Sequence, residues 1–137
     1  MRIFLSRSPV ETIRFGEELG RNLKGNEVIA LFGELGAGKT TLIKGIVSGF
    51  GIKREVRSPS FVMITEYEEG EKKVYHIDLY RIRDTKEATE IGLFDYFSFS
   101  GVKLIEWAEK VEDSLPKEAM RVILRIVSER EREVVVN

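Results

Sequence analysis

The chain has 137 residues, 42% of them hydrophobic and 33% charged, a length and balance that fit one globular domain with a core of its own. It has no cysteine and one histidine, which excludes disulfides and thiolate metal sites and argues against histidine-based zinc. The formal charge of −1 lacks the basic surplus of a protein that grips nucleic acid alone, and no apolar run is long enough for a membrane span. A cytoplasmic protein is expected.

Residues 1–6 read as a first strand, too short for a signal peptide. Ser8-Pro9-Val10-Glu11 reads as a helix start, a capping box with proline at the first helical position. Phe15, Leu19 and Leu23 recur every four residues and lay one face of this helix on the core until Lys24-Gly25-Asn26 ends it.

An apolar run, Val28 to Phe32, then leads into Gly33-Glu34-Leu35-Gly36-Ala37-Gly38-Lys39-Thr40-Thr41, and a helix-like segment, Leu42 to Phe50, follows. This is the Walker A pattern G-x-x-x-x-G-K-[ST] in its context of strand, loop and helix. Glycines let the loop turn its N–H groups inward, and the helix N-terminus adds partial positive charge, so the stretch forms a cradle for polyphosphate. In that reading Lys39 reaches the β- and γ-phosphates and the Thr40 hydroxyl ligates Mg²⁺.

Beyond the helix, Ser58-Pro59-Ser60-Phe61 is either a plain Ser-Pro turn or a segment whose hydroxyls meet the γ-phosphate or Mg²⁺. Phe61–Tyr67 and Val74–Arg81 read as strands of a hairpin with a charged tip, Glu68 to Lys73. Alternation sets Val74, His76, Asp78 and Tyr80 on one face and Tyr75, Ile77 and Leu79 on the other. An acid in so apolar a strand is costly to bury unless it is paired or near a metal. Asp78 is therefore a site candidate, with a salt-bridged structural aspartate as the alternative. His76 reads as a satisfied core histidine before a catalytic base, and Arg81 either pairs with Asp78 or faces phosphate.

Asp84-Thr85-Lys86-Glu87 opens another helix that turns Ala88, Ile91 and Leu93 inward. The aromatic stretch Phe94, Tyr96, Phe97, Phe99 is either core or a partner-facing patch. Val102-Lys103-Leu104-Ile105-Glu106-Trp107 is a short strand ending in a carboxylate, the Walker B pattern with glutamate where aspartate is commoner. Glu106 either serves the metal and the attacking water or is an exposed strand end. Trp107 is a core anchor or a ring beside the site. Arg121–Val127 and Glu133–Val136 close the chain as two strands joined by a polar tip, with no internal repeat and no linker.

Four segments in this order, the glycine-rich loop, Ser58-Pro59-Ser60-Phe61, His76-Ile77-Asp78-Leu79-Tyr80-Arg81 and Leu104-Ile105-Glu106-Trp107, together resemble the bacterial TsaE family, the small ATPases of tRNA threonylcarbamoyladenosine synthesis. The resemblance spans nearly the whole chain. It implies an α/β, single-domain P-loop NTPase fold over residues 1–137, a mixed β-sheet flanked by helices. It further implies ATP binding and Mg²⁺-dependent hydrolysis in partnership with the TsaB and TsaD proteins, with tRNA met only through that complex. By position, Lys39, Asp78 and Glu106 become the catalytic candidates, and Thr40 and Glu106 the metal residues. The phosphate cradle comprises Gly36, Ala37, Gly38, Lys39, Thr40 and Thr41, and Gly33 is counted with the nucleotide-binding residues. Pro9, Glu11, Thr12 and Arg132 fall near the adenine, and Ser60 and Trp107 join the nucleotide site. Ser60 stands where the family usually has threonine, so the hydroxyl survives. Two rival classes need other features: a small P-loop kinase needs a lid over an acceptor pocket, and a nucleotide-gated adaptor needs binding without turnover.

Overall fold

The computed structural model describes residues 1–57 and 63–137; Ser58-Pro59-Ser60-Phe61, and with it the Ser60 candidate, lies outside them. Seven strands form one mixed sheet: β1 (Arg2–Ser6), β2 (Val28–Phe32), β3 (Ile64–Glu69), β4 (Lys72–Asp78), β5 (Val102–Glu106), β6 (Met120–Ile126) and β7 (Arg132–Val136). Their order is β1-β7-β6-β2-β5-β4-β3. The centre, β6-β2-β5-β4, is parallel, and antiparallel strands flank it on both sides. Parallel neighbours require crossovers, and helices supply them, so both faces of the central strands are covered. This explains why β5 is buried along its whole length and reads as an almost unbroken apolar run.

Helices α1 (Pro9–Arg21) and α2 (Lys39–Phe50) cover one face, packing Phe15, Leu19, Leu42, Ile43 and Ile46 against Ile29, Leu31, Val122 and Leu124. Short helices α3 (Thr85–Glu90) and α4 (Leu93–Tyr96), with the 3₁₀ segment Ala108–Ser114, cover the other face over Ala30, Ile77 and Ile105. Each fully buried side chain of this kind contributes about 1.5–3 kcal/mol.

The α1–α2 contact is tighter than ordinary ridge packing. Gly16 and Gly20 of α1 meet Gly45 and Gly49 of α2 across a backbone-to-backbone interface. A Cβ on Gly45 would lie 2.1 Å from the Ile13 carbonyl oxygen, and one on Gly49 2.1 Å from that of Glu17. Only glycine lets the two helices approach so closely.

Several local expectations are borne out and others shift. Ser8 caps α1 by accepting the Glu11 N–H at 3.2 Å, and Pro9 opens it. The Glu11 carboxylate closes onto the Arg7 N–H, 2.9 Å, one residue before the usual capping-box partner. The helix ends at Arg21, three residues before the expected stop, because the Asn22 N–H closes the last turn onto Leu19 and Gly20. The hairpin runs further into its charged tip than expected: Glu68 pairs with Lys73 across the strands at 2.9 Å, so the charges extend the ladder. β4 stops at Asp78 and does not reach Arg81, because Asp78 Oδ1 accepts the Tyr80 N–H at 2.9 Å in an Asx turn.

Candidate functional site: the loop between β2 and α2

The glycine-rich loop leaves the C-terminal end of β2, beside the ends of its parallel neighbours β5 and β6. Ligands in open α/β sheets bind at this edge of the strands. Gly38 precedes α2 with φ +100°, a left-handed conformation that favours glycine, and no side chain caps the helix. Its first N–H groups and the positive end of its dipole therefore face the loop's concavity. Gly33 packs so close that a Cβ there would meet the Leu124 carbonyl oxygen at 2.7 Å.

Lys39 is buried and doubles back over this loop. Its Nζ donates to the carbonyls of Gly33 and Glu34 and sits 3.8 Å from the centre of the Trp107 ring. Burial pulls the ammonium below the usual lysine range, while the carboxylates of Glu109, Glu106, Asp78 and Glu34 oppose that pull. Trp107 is the one non-glycine residue at positive φ among the described residues, at +61°. That turn ends β5 and brings the indole over the loop.

Two carboxylates face the lysine from neighbouring strand ends. Asp78 of β4 and Glu106 of β5 are register partners in the parallel ladder. Glu106 is only 3% exposed, so the alternative of an exposed strand end does not hold. The Thr40 hydroxyl lies 3.1 Å from both of its carboxylate oxygens. Glu106 also meets His76, whose Nε2 lies 2.6 Å from Oε2. Burial raises the Asp78 carboxyl above the ordinary value of 3.8, and the Glu106 charge adds to that, against the lowering pull of the Tyr80 N–H and Lys39. Among the described residues no ion pair to Asp78 is seen that would make it a plain salt-bridge partner.

Two cavities share Gly36, Gly38 and Thr41 as a common rim. One, about 340 Å³, is lined by residues 35–41 with Asp78, Tyr80, Glu106 and Trp107. The other, about 430 Å³, is lined by Arg7, Ser8, Pro9, Thr12, Glu129, Arg130 and Arg132 as well as the shared rim. A larger hollow of about 560 Å³ sits between other loops, around Arg21, Lys24 and Lys72. It contains none of the loop residues and no paired hydroxyl and carboxylate.

Comparison with known proteins gives the same frame. The family model described as "Threonylcarbamoyl adenosine biosynthesis protein TsaE" matches residues 6–134. This chain belongs to the TsaE family. It is 41% identical over 127 residues to the tRNA threonylcarbamoyladenosine biosynthesis protein TsaE of Bacillus subtilis, an alignment covering 93% of this chain and 79% of that one. The Treponema pallidum protein of the same name is 37% identical over 96% of this chain and 97% of its own length. The crystal structure of Bacillus subtilis YdiB superposes with a TM-score of 0.81 at 36% identity, covering 97% of this chain and 82% of that chain. The fold is the α/β P-loop fold that the sequence led us to expect.

Against this TsaE frame, the structure gathers Gly36, Ala37, Gly38, Lys39, Thr40, Thr41, Asp78, Glu106 and Trp107 around the first cavity. Pro9, Thr12 and Arg132 line the second, where Arg132 Nε donates to the Gly36 carbonyl at 3.2 Å. Glu11 and Gly33 line neither cavity: Glu11 is engaged with Arg7, and Gly33 lies beneath the loop with its N–H donated to Glu109, 3.2 Å.

Sequence reasoning missed three residues. Glu109 holds the start of the loop from the 3₁₀ segment. Lys110 Nζ donates to the carbonyls of Tyr80 and Ile82, both at 2.6 Å, and so fastens the turn after Asp78. His76 contacts Glu106 and is not a satisfied core histidine, because its Nδ1 is buried with no partner among the described residues. The alternation that singled out Asp78 contained the signal for His76. Nothing in spacing pointed to Glu109 or Lys110.

Proposed function

We propose that this protein binds ATP with Mg²⁺ and hydrolyses it in the service of tRNA threonylcarbamoyladenosine formation, the process named in its family's description. The observation that carries the proposal is the meeting of Thr40 and Glu106, 66 residues apart in sequence, at the mouth of a loop that also holds Lys39. The loop amides and the start of α2 bind the polyphosphate, and Lys39 leaves its carbonyl partners to follow the β- and γ-phosphates. The second cavity, walled by Pro9, Thr12 and Arg132, takes the nucleoside end.

The donor set fits magnesium. Thr40 and Glu106 present hard oxygen donors side by side. Among the described residues no cluster of three or more His, Cys, Asp or Glu could hold an ion unaided. That is the condition in which Mg²⁺ is held by one or two protein oxygens plus phosphate and water. When bound, the ion neutralises charge on the phosphate oxygens. In hydrolysis a water oxygen bonds to the γ-phosphorus as the bond to the β–γ bridging oxygen breaks, yielding ADP and phosphate. Glu106 and Asp78 orient that water, and Lys39 offsets the charge moving onto the leaving oxygen.

Asp78 and Glu106, and the exposed loop tip at Leu35, lie at the C-terminal ends of the parallel strands, where partners would reach the nucleotide. We assign those partners as TsaB and TsaD, and tRNA contact as running through them in the cytoplasm, in keeping with the net charge of −1. Among the described residues no helix is long and apolar enough to cross a membrane. The test is ATP turnover without any acceptor, with purified TsaB and TsaD added or withheld. Phosphate release, increased by the partners, is expected. Tight ATP binding without release in either condition would replace hydrolysis with a nucleotide-gated adaptor.

A further inference from the structure

We infer that His76 is the positioning residue for Glu106: its Nε2–H holds the carboxylate from behind while Thr40 meets it in front. The inference rests on the hydrolytic reading of Glu106 given above.

His76 lies in the middle of β4, fully buried, and lines neither cavity of the loop. It cannot touch a nucleotide there, so any contribution passes through the group it contacts. That group is Glu106, with Nε2 and Oε2 2.6 Å apart, the short separation of a charge-assisted hydrogen bond. The other ring nitrogen identifies the donor. Nδ1 is buried without a partner among the described residues. A proton there would be a buried donor with no acceptor, whereas a bare lone pair is the lesser penalty. The ring is therefore the neutral tautomer with its proton on Nε2, and that proton points at the carboxylate.

The geometry around Glu106 then has two sides. Thr40, from the first turn of α2, lies 3.1 Å from both oxygens. His76, from β4, meets Oε2 at 2.6 Å and, unlike Thr40, lies outside the cavity lining. A glutamate side chain has three rotatable bonds, and keeping both partners at these distances restricts all three, so the carboxylate that lines the cavity with Thr40 is held in place. The histidine is itself supported. The Tyr67 ring packs 6.2 Å from the imidazole, and Tyr67 Oη both accepts the Arg57 N–H and donates to the Arg57 carbonyl, each at 3.2 Å. This support runs from β3 through β4 to the acid on β5.

Two readouts test the inference. A chain with one histidine gives one pair of imidazole nitrogen signals in ¹⁵N NMR of the protein without nucleotide. At neutral pH Nε2 should appear protonated and Nδ1 bare, and Glu106→Gln should move the Nε2 signal. A proton on Nδ1, or a spectrum indifferent to Glu106→Gln, overturns the inference. The second readout compares His76→Phe, which keeps a ring without a donor, with His76→Gln, whose amide N–H can reach Glu106. His76→Phe should lower kcat for ATP roughly 10- to 100-fold, the scale for losing an outer partner of a metal-site ligand, and His76→Gln should regain most of it. KM and equilibrium ATP affinity should stay within about threefold of wild type in both variants. Unchanged kcat in a folded His76→Phe protein, or equal losses in the two variants, overturns the inference, since a packing role would lower the melting temperature and leave turnover per folded molecule intact. If His76→Phe does not fold, the NMR readout and His76→Gln still decide. If wild-type protein itself shows no ATP turnover, the hydrolytic reading falls, and the NMR result alone determines whether His76 holds Glu106.

Discussion

Between α1 and α2 the chain sets backbone against backbone, with Gly16, Gly20, Gly45 and Gly49 leaving no room for a side chain. At the ends of β4 and β5 it sets charge against charge: Asp78 and Glu106 share a register position, Lys39 lies across from them, and His76 sits behind. The helix pair sets the loop at the start of α2 by shape, and each mid-helix glycine that allows it costs about 0.5–1 kcal/mol relative to alanine. The strand ends hold ionisable groups away from water, where an unpaired charge is expensive. Substitutions in the first region should therefore register as stability, and substitutions in the second as binding or turnover.

The strongest way to break the contrast is Gly45→Ala. The new methyl would meet the Ile13 carbonyl, which is backbone and cannot rotate aside, so the helices must separate. Overpacking of this kind costs about 3 kcal/mol, a fall on the order of 10 °C in melting temperature for a domain of this size. Calorimetry checks it, and an unchanged midpoint would mean that the helix pair is not tightly fixed.

Lys39→Ala probes the other region. Removing a charge-assisted contact to phosphate costs about 1.5–3 kcal/mol, or roughly ten- to a hundredfold in ATP affinity. The melting temperature should hold, because burial already works against this ammonium in the folded protein. Isothermal titration with ATP, beside a thermal melt, separates the two effects. Unchanged affinity would remove Lys39 from the cradle.

The shift in stability expected of Asp78→Asn is small, and its sign is the informative part. The Asp78 carboxyl is raised in the folded protein above its ordinary value of 3.8, mainly by burial. The folded state therefore holds that proton more tightly than the unfolded chain. The resulting stabilisation is present below 3.8 and is lost as pH rises through the folded value. At neutral pH the charge opposes folding, so Asn, which keeps an oxygen for the Tyr80 N–H, should leave the protein equally or slightly more stable while turnover drops. Urea titration at neutral pH and at pH near 4 tests this, with the gain over wild type shrinking in acid. A clear loss of stability at neutral pH would make Asp78 a structural residue and retire its catalytic role.

The same contrast explains what could be read from the sequence. The loop was legible because Gly33 to Thr41 is contiguous and its strand and helix adjoin it. The approach of Glu106 to that loop was legible because a P-loop fold places β5 beside β2, as it does here. The glycines of α1 and α2 stand at four-residue spacing in both helices, but their partner lies on another helix, and periodicity within one segment cannot show that. A strand-face pattern likewise places His76 on the same side as Asp78, yet its partner sits 30 residues away on the neighbouring strand. Lys103 was hidden in part the same way: an apparent interruption of an apolar strand, it is 1% exposed and donates to the carbonyl of Asn26, 77 residues away, as well as to that of nearby Phe99. A local partner was not always enough either: the Asx turn at Asp78 spans two residues, yet the apolar alternation around it read as continuous strand.

The central claim is that Glu106 acts on ATP in the transition state and not in holding it. Glu106→Gln keeps the shape of the side chain and removes the charge that faces Thr40. The measurement is single-turnover ATP hydrolysis by Glu106→Gln beside its equilibrium ATP affinity. Affinity resting on the loop amides and Lys39 should stay within about threefold of wild type, and the hydrolysis rate should fall on the order of a hundredfold or more. Wild-type turnover in the Gln variant would contradict the account and leave Glu106 as a buried strand end.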